Sequence, residues 1–479
     1  MNKIAKNYIY NLIYQILVVI VPLVTAPYLA RRLGPTNVGI YGYIHSTTSL
    51  ICMIVMLGIY AYGNRQIAYI RDNKTQVDIV FWEIMSTRFV IAVFGTMIYF
   101  GIVLFIGKYI SLFCIYYTFL LAYFLDCTWL YVGMEDMKWA VLKNTVTKIL
   151  AVIGIFIFVK NQEDLWKYVV IQGLSLLVSN LLAYSQLYQY VGKPKLILQN
   201  LKSHLVQSTM LFLPSIASAI YLQVDKVMIE LMTGRTAEVS FYDYSEKLIT
   251  IPLTFITVLS TVMMPRIANE FHKRNKEKID ELINTAARFS IFIACPMMFG
   301  LIAVSDKLIP WYLGEDFLGT AVAMSIIAPI ILTNTLTGIS GNQYFTATNQ
   351  INILLKSQIA AAVINVAINA LLIPKFGFIG AAVATVFSSV LNAGVQYYYL
   401  VKQVKMNGFI KDLVLHLIMG IIMYFIIRII TQEMSASPIT NLIQVIIGVI
   451  VYLISALIVR DKQLFQMIDV VKDKMKIGG

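Results

Sequence analysis

An acid and a base stand side by side in Leu222-Gln223-Val224-Asp225-Lys226-Val227-Met228-Ile229, inside a long apolar run. If lipid is the solvent there, each ionisable group costs roughly 2.5–3.5 kcal/mol to insert, so it needs a partner or a polar cavity. Adjacent helical residues point about 100° apart and cannot neutralise each other face to face. Two roles fit the pair: it lines or gates a polar pathway, with Asp225 as an ion-coupling group, or it bridges two helices. Asp126 offers the same choice between a proton-coupling site and a helix–helix hydrogen bond. Glu246-Lys247 and His45 stand at corresponding places near the ends of two further apolar runs. Glu246 is a candidate for ion coupling and Lys247 for substrate binding, although Lys247 can also snorkel to water. Arg31 and Arg32 form a doubled cation that suits either a polyanion or a solvated loop.

The elements that position these residues follow from composition. Apolar residues make up 59% of the 479 and charged residues only 13%, against about 45–50% and 25% in soluble domains. A helix crossing a bilayer needs about 20 mostly apolar residues. About fourteen such stretches are present, near 9–30, 39–62, 83–106, 109–133, 141–160, 165–190, 204–232, 246–270, 285–305, 319–341, 351–373, 377–401, 411–431 and 439–459. The fifth and sixth are separated only by Lys160-Asn161-Gln162-Glu163-Asp164, where one kinked pair is easily miscounted. Continuous runs, rather than ten-residue alternations, predict helices and not a barrel. The expected fold is all-α and polytopic. Kinks are expected at Pro22, Pro27, Pro214, Pro252, Pro296 and Pro329, since each removes a backbone hydrogen bond.

The chain resembles itself at an offset of about 200 residues. Gly34-Pro35-Thr36-Asn37-Val38-Gly39-Ile40-Tyr41-Gly42-Tyr43 answers to Gly234-Arg235-Thr236-Ala237-Glu238-Val239-Ser240-Phe241-Tyr242-Asp243-Tyr244 with one inserted residue. Arg65, Ile67 and Ala68 answer to Arg266, Ile267 and Ala268, and Arg88-Phe89 to Arg288-Phe289. Matches in order at near-constant spacing indicate duplication. The repeat-related cations Arg65, Arg88, Arg266 and Arg288 cluster at the inner mouth, where they suit an anionic substrate; topology alone also accounts for them.

Lys and Arg are retained on cytoplasmic loops. They concentrate on alternate connections, among them Lys3 and Lys6; Arg65, Arg71 and Lys74; Lys138 and Lys143; Lys193 and Lys195; Lys273 to Lys278; Lys402 and Lys405; and Arg460 to Lys476. Both termini are therefore expected inside, which requires an even number of spans. The net charge of +13 belongs to these loops, so nucleic acid is not implied. The basic segments 63–80 and 266–288 are expected as amphipathic helices among the inner headgroups. The apolar start has no small-residue cleavage site and reads as a retained first span. Cys52, Cys114, Cys127 and Cys295 fall inside spans as packing residues, and His45, His204, His272 and His416 lack metal-ligand spacing. No phosphate loop or nucleophile motif is present, and the loops are too short to house a soluble active site. The expectation is a transporter, with no cofactor and with H+ or Na+ coupling compatible with the polar residues.

One resemblance covers nearly the whole chain. It is carried by Lys6-Asn7-Tyr8, by Tyr28-Leu29-Ala30-Arg31-Arg32-Leu33-Gly34-Pro35-Thr36-Asn37-Val38-Gly39-Ile40-Tyr41 and by Gly58-Ile59-Tyr60-Ala61-Tyr62-Gly63-Asn64-Arg65-Gln66-Ile67-Ala68. Val224-Asp225-Lys226-Val227-Met228-Ile229 and Ile373-Pro374-Lys375-Phe376-Gly377-Phe378-Ile379-Gly380-Ala381-Ala382 extend it. The chain resembles the Wzx-type flippases of polysaccharide repeat units, within the larger group that also holds drug exporters and the peptidoglycan lipid flippase. The resemblance implies two six-helix lobes, near 1–195 and 196–405, with two further helices and a cytoplasmic tail over 406–479. It implies a bacterial cytoplasmic membrane and a cargo of oligosaccharide on undecaprenyl pyrophosphate, moved from inner to outer leaflet by alternating access for O-antigen, capsule or exopolysaccharide. A polysaccharide polymerase and a chain-length regulator would be further partners. Lipid II flipping and drug or metabolite export on the same fold are the alternatives. A membrane-embedded glycan ligase or polymerase is a third, against which the short outer loops argue.

Overall fold

The computed structural model describes the backbone of residues 3–56 and 58–466, and their side chains except at 3–16, 137, 211, 213–222, 255 and 257–262. Lys3, Lys6, Lys472, Lys474, Lys476, Pro214 and the motif start at Lys6 lie outside the described side chains. Among the described residues the fold is all-α, without a strand. The first eight helices are α1 Lys3–Met56, α2 Ile59–Ile70, α3 Lys74–Ile106, α4 Ile110–Phe124, α5 Thr128–Gly133, α6 Met137–Phe158, α7 Leu165–Ala183 and α8 Leu201–Thr233. Then follow α9 Thr236–His272, α10 Lys276–Tyr312, α11 Leu318–Ile327, α12 Ile330–Thr337, α13 Ile351–Phe376, α14 Phe378–Leu400, α15 Phe409–Ile430 and α16 Pro438–Ile458.

Two glycines at repeat-matched positions turn the chain. Gly34, at φ 73° and ψ 171°, breaks α1 where two spans were expected, and Gly234, at φ 66°, separates α8 from α9. A side chain at either place would be forced into left-handed backbone. The repeat is also visible in burial: Ile67 and Ile267 are fully enclosed, Tyr43 and Tyr244 are buried, and Arg65 and Arg266 are exposed.

Ten described helices are long and apolar enough to cross a membrane, or eleven when the pair Glu315–Ile327 and Ile330–Phe345, bent by 45°, is taken as one. Helix α1 takes in the first expected span and most of the second, 39–62, whose last residues lie in α2, while α8 and α9, of 33 and 37 residues, carry most of the remaining undescribed side chains. The fourteen expected spans and the ten described are thus counted over different residues. The doubtful fifth and sixth spans are separate helices, α6 and α7, joined through a 3-10 turn at Gln162–Asp164. Pro329 sits at the 45° bend between α11 and α12, whereas α9 and α10 run on through Pro252 and Pro296. The segment 266–288 is not a separate surface helix. It is the end of α9, a short turn and the start of α10, because both helices outrun the apolar stretch that sequence reading assigned them.

The chain divides into two compact units between Glu230 and Leu231. In the first, α1 packs on α3, α4 and α6, α7 packs on α4 and α6, and α2 lies against α3 and α5. In the second, α13 and α14 form the tightest hairpin, and α10 is the hub for α9, α11, α12, α15 and α16. The repeat boundary near residue 195 and this division differ by one helix, α8.

Candidate functional site

The fourth expected span is broken. Helix α4 stops at Phe124 and α5 starts at Thr128, leaving Leu125-Asp126-Cys127 to supply polar backbone inside an apolar unit. Arg88 of α3 fills that break. Its guanidinium, 2% exposed, donates to the carbonyls of Tyr123 and Asp126, which also accept from the Asp126 N–H and the Trp129 indole N–H at the helix end. The Asp126 carboxylate accepts from the backbone N–H of Thr128, the first residue of α5, at 2.9 Å. Nearby, Lys143 is also 2% exposed and donates to Asn144 and Asn180, each at 3.2 Å, while Asn180 donates to the Ala122 carbonyl at 2.7 Å.

The other residues singled out in the sequence are placed as follows. Asp225 and Lys226 are buried in α8, and each is engaged by a neighbour. Lys247 forms an ion pair with Asp243 one turn back and lies 5.2 Å over the Tyr244 ring. Glu246 is half-buried and engaged. His45 meets the Tyr116 hydroxyl at 2.8 Å within an aromatic cluster that includes Tyr41 and Phe119. Arg31 and Arg32 are exposed, with Arg32 5.7 Å over Tyr28. Arg288, the repeat mate of Arg88, lies in a different setting: partly exposed, it pairs with Asp412 at 3.0 Å and donates to the Asn407 carbonyl. Within the first unit Arg88 and Asp126 come together; Arg31, Arg32 and Arg65 do not join them.

Two tyrosine–histidine–acid relays were not anticipated. In the first unit Tyr62 meets His204 Nδ1 at 2.8 Å and Glu83 meets its Nε2 at 3.2 Å, all buried. In the second, Tyr452 meets His416 Nδ1 at 2.9 Å and Asp461 lies 3.4 Å from Nε2. Burial alone would raise the Asp461 carboxyl, but His416 and the N–H groups of Leu464 and Gln463 outweigh it and hold it below the usual carboxylate range. Histidine spacing in the chain gave no sign of these relays, because the partners come from other helices. Glu230 was also missed: fully buried near the end of α8, it lies 3.6 Å from Lys108.

The second unit holds a cavity of about 230 Å³. Its walls come from α9, α10, α12, α13, α14 and the π-helical turn Gly338–Phe345 that continues α12. Six carboxamides line it, Asn334, Asn342, Gln343, Gln358, Asn392 and Gln396, with Ser290, Thr335 and Thr337, and no lining residue is charged. Gln396 is pinned: its oxygen accepts from Ser340 at 2.7 Å, and its nitrogen donates to Ser357 and Asn392 at 3.1 Å. Such a surface can donate and accept hydrogen bonds without carrying charge. The signal for it was the density of Asn and Gln in apolar spans, which a search for charged residues passes over.

Comparison with known proteins gives the family and the fold. The family described as "Polysaccharide biosynthesis protein" matches residues 4–271. A "Putative O-antigen transporter" of Escherichia coli (strain K12) is 25% identical over 389 residues, covering 80% of this chain and 93% of that protein. Among solved structures, a lipid II flippase MurJ in an inward closed conformation superposes with a TM-score of 0.72 at 18% identity, over 95% of this chain and 99% of that one. An inward-facing multidrug resistance MATE family transporter of the MOP superfamily gives 0.64 at 14% identity, over 82% and 95%. The fold is that of these multi-pass transporters, and the relatives and structural neighbours are transporters and flippases rather than enzymes.

Proposed function

From the premise that the chain belongs to the polysaccharide biosynthesis protein family, we propose that it flips lipid-linked oligosaccharide units from the inner to the outer leaflet of a bacterial cytoplasmic membrane. The observation that carries this reading is the family match, which covers more than half of the chain, together with a relative named as an O-antigen transporter along 93% of its own length. The geometry supports a cargo that is part sugar and part anion. Uncharged hydrogen-bonding groups line the cavity of the second unit, and Arg31, Arg32, Arg65 and Arg266 are exposed cations.

The two repeats, near 1–195 and 196–405, are the halves expected to rock about the cargo, as inverted or parallel repeats do in other transporters. Arg31, Arg32, Arg65, Lys226, Lys247, Arg266 and Arg288 are the proposed contacts for the pyrophosphate along its route. Asp126, Asp225 and Glu246 are the proposed groups for any coupled H+ or Na+. A cationic drug would be favoured by acidic lining, and the cavity of the second unit offers none.

Complementation tests the reading. In a strain lacking its polysaccharide flippase, expression of this chain is expected to restore surface polymer at normal membrane abundance. Absence of rescue from a well-expressed chain, in this strain and in the source organism deleted for the gene, would reject it.

A further inference from the structure

The carboxamide cavity of the second unit carries an inference that rests on the flippase reading and extends it to a binding site. Of its six amides, Gln396 is held by three neighbours and braces the wall. Asn342 and Gln358 differ, because among the described residues their carboxamides make no hydrogen bond to the protein although both face the cavity. Asn392 uses its oxygen for Gln396 and leaves its amide nitrogen available. Asn342 is exposed and Gln358 and Asn392 are half-buried, so water can meet these carboxamides, and a ligand with matching donors and acceptors can take its place.

The π-helical turn makes the opening. Its i→i+5 pairing widens the helix at Gly338–Phe345 and brings Asn342 and Gln343, consecutive residues, to the same cavity. Gly341 lets α13 and α14 close in, since a Cβ there would stand 2.8 Å from Leu354 and 3.0 Å from Gln396. A rigid back wall thus faces amides that are free to bind.

We infer that this cavity takes one pyranose ring of the cargo. Sugar hydroxyl and acetamido groups are neutral and both donate and accept, as carboxamides do. A carboxylate lining would pay for burial in a membrane unit, whereas amides bind the same hydroxyls without charge. The pyrophosphate is not the group held here, because nothing among the lining residues offsets its charge. The volume suits a single ring, below the range typical of drug-sized pockets. Gln358 lies near the start of α13 and Gln396 near the end of α14, the end of the unit expected to face the cytoplasm, where a cargo would load.

The test uses the full chain in lipid nanodiscs, with N-acetylchitobiose and maltose as probes and saturation-transfer NMR as the readout. At least one disaccharide is expected to bind. Gln358→Met with Asn342→Leu, which keep side-chain bulk, are expected to weaken it by about tenfold, the loss of one or two neutral hydrogen bonds, at unchanged melting temperature. Inorganic pyrophosphate is expected not to compete. If neither probe binds, if binding survives both substitutions, or if pyrophosphate displaces the sugar, the site is wrongly assigned. Should the double variant lose its fold, each single variant and Gln358→Ala take its place under the same criteria. Surface polymer in the source organism, deleted for the gene, separates the two levels. Normal polymer from the double variant overturns the sugar site and leaves the flippase reading standing. A wild-type chain that binds sugar through Gln358 but restores no polymer overturns the flippase reading and leaves the site.

Discussion

At the scale of residues, equal charge does not mean equal work, and burial with partners separates the cases. Arg88 looked like one of four repeat-related cations at a mouth, yet its fork closes two carbonyls at the broken end of α4. Arg88→Lys keeps the charge but cannot reach both carbonyls with a planar fork. Losing one buried charge-assisted hydrogen bond costs about 1.5–3 kcal/mol, so thermal stability and membrane abundance are expected to fall, with surface polymer falling in proportion. Asp225→Asn and Lys226→Ala should behave differently if the pair serves the pathway: polymer falls further than abundance. Equal loss of both in the Asp225 and Lys226 variants would make that pair structural as well. The distinction was not legible in the sequence. Arg88 and Arg288 sit at matching positions of a duplicated chain, and only the partners, a helix break for one and Asp412 for the other, tell them apart.

Elements were far more legible, because lipid enforces long apolar helices and glycines mark where they turn. The segment from Ile373 to Ala382 read as a short turn before a small-residue helix, and the structure gives the reason for its glycines. Gly380 of α14 lies against α13 so closely that a Cβ would stand 2.7 Å from the carbonyl carbon and oxygen of Leu372. Backbone cannot yield as a side-chain tip can, so Gly380→Ala is expected to prise the α13–α14 hairpin apart at about 1–3 kcal/mol. The check is a lowered melting temperature of the purified chain, with Gly394→Ala, where a Cβ meets nothing within 4 Å, near wild type. What escaped sequence reading at this scale were interruptions with no local mark. The break at Asp126 and the π-turn at Gly338–Phe345 are set by what neighbouring helices supply to the freed backbone, and hydropathy averages across both. The carboxamide cavity was hidden for the same reason: Asn and Gln from α12, the π-turn, α13 and α14 converge only once the helices are packed.

For the whole molecule, the proposed cargo and the basic loops together make a statement about driving force. A pyrophosphate-linked unit carries negative charge, and an inside-negative potential of about 100 mV favours outward movement by roughly 2.3 kcal/mol for each charge that crosses the full field. Two charges would gain about 4.6 kcal/mol, or roughly three powers of ten in the leaflet ratio, with no ion partner. A coupled H+ or Na+ at Asp126, Asp225 or Glu246 travelling with the cargo would cancel part of that dependence; one travelling inward would add to it. Proteoliposomes holding the full chain and a fluorescent pyrophosphoryl-lipid disaccharide separate these cases when a potassium diffusion potential is stepped from zero to about −100 mV at fixed pH and sodium. Uncoupled flipping predicts that the outward ratio rises steeply with the step and responds to neither a proton nor a sodium gradient. A ratio that ignores the potential and follows one of the gradients would mean that cations move with the cargo and neutralise it. Asp225→Asn would then be expected to restore the voltage response if Asp225 carries the coupled ion.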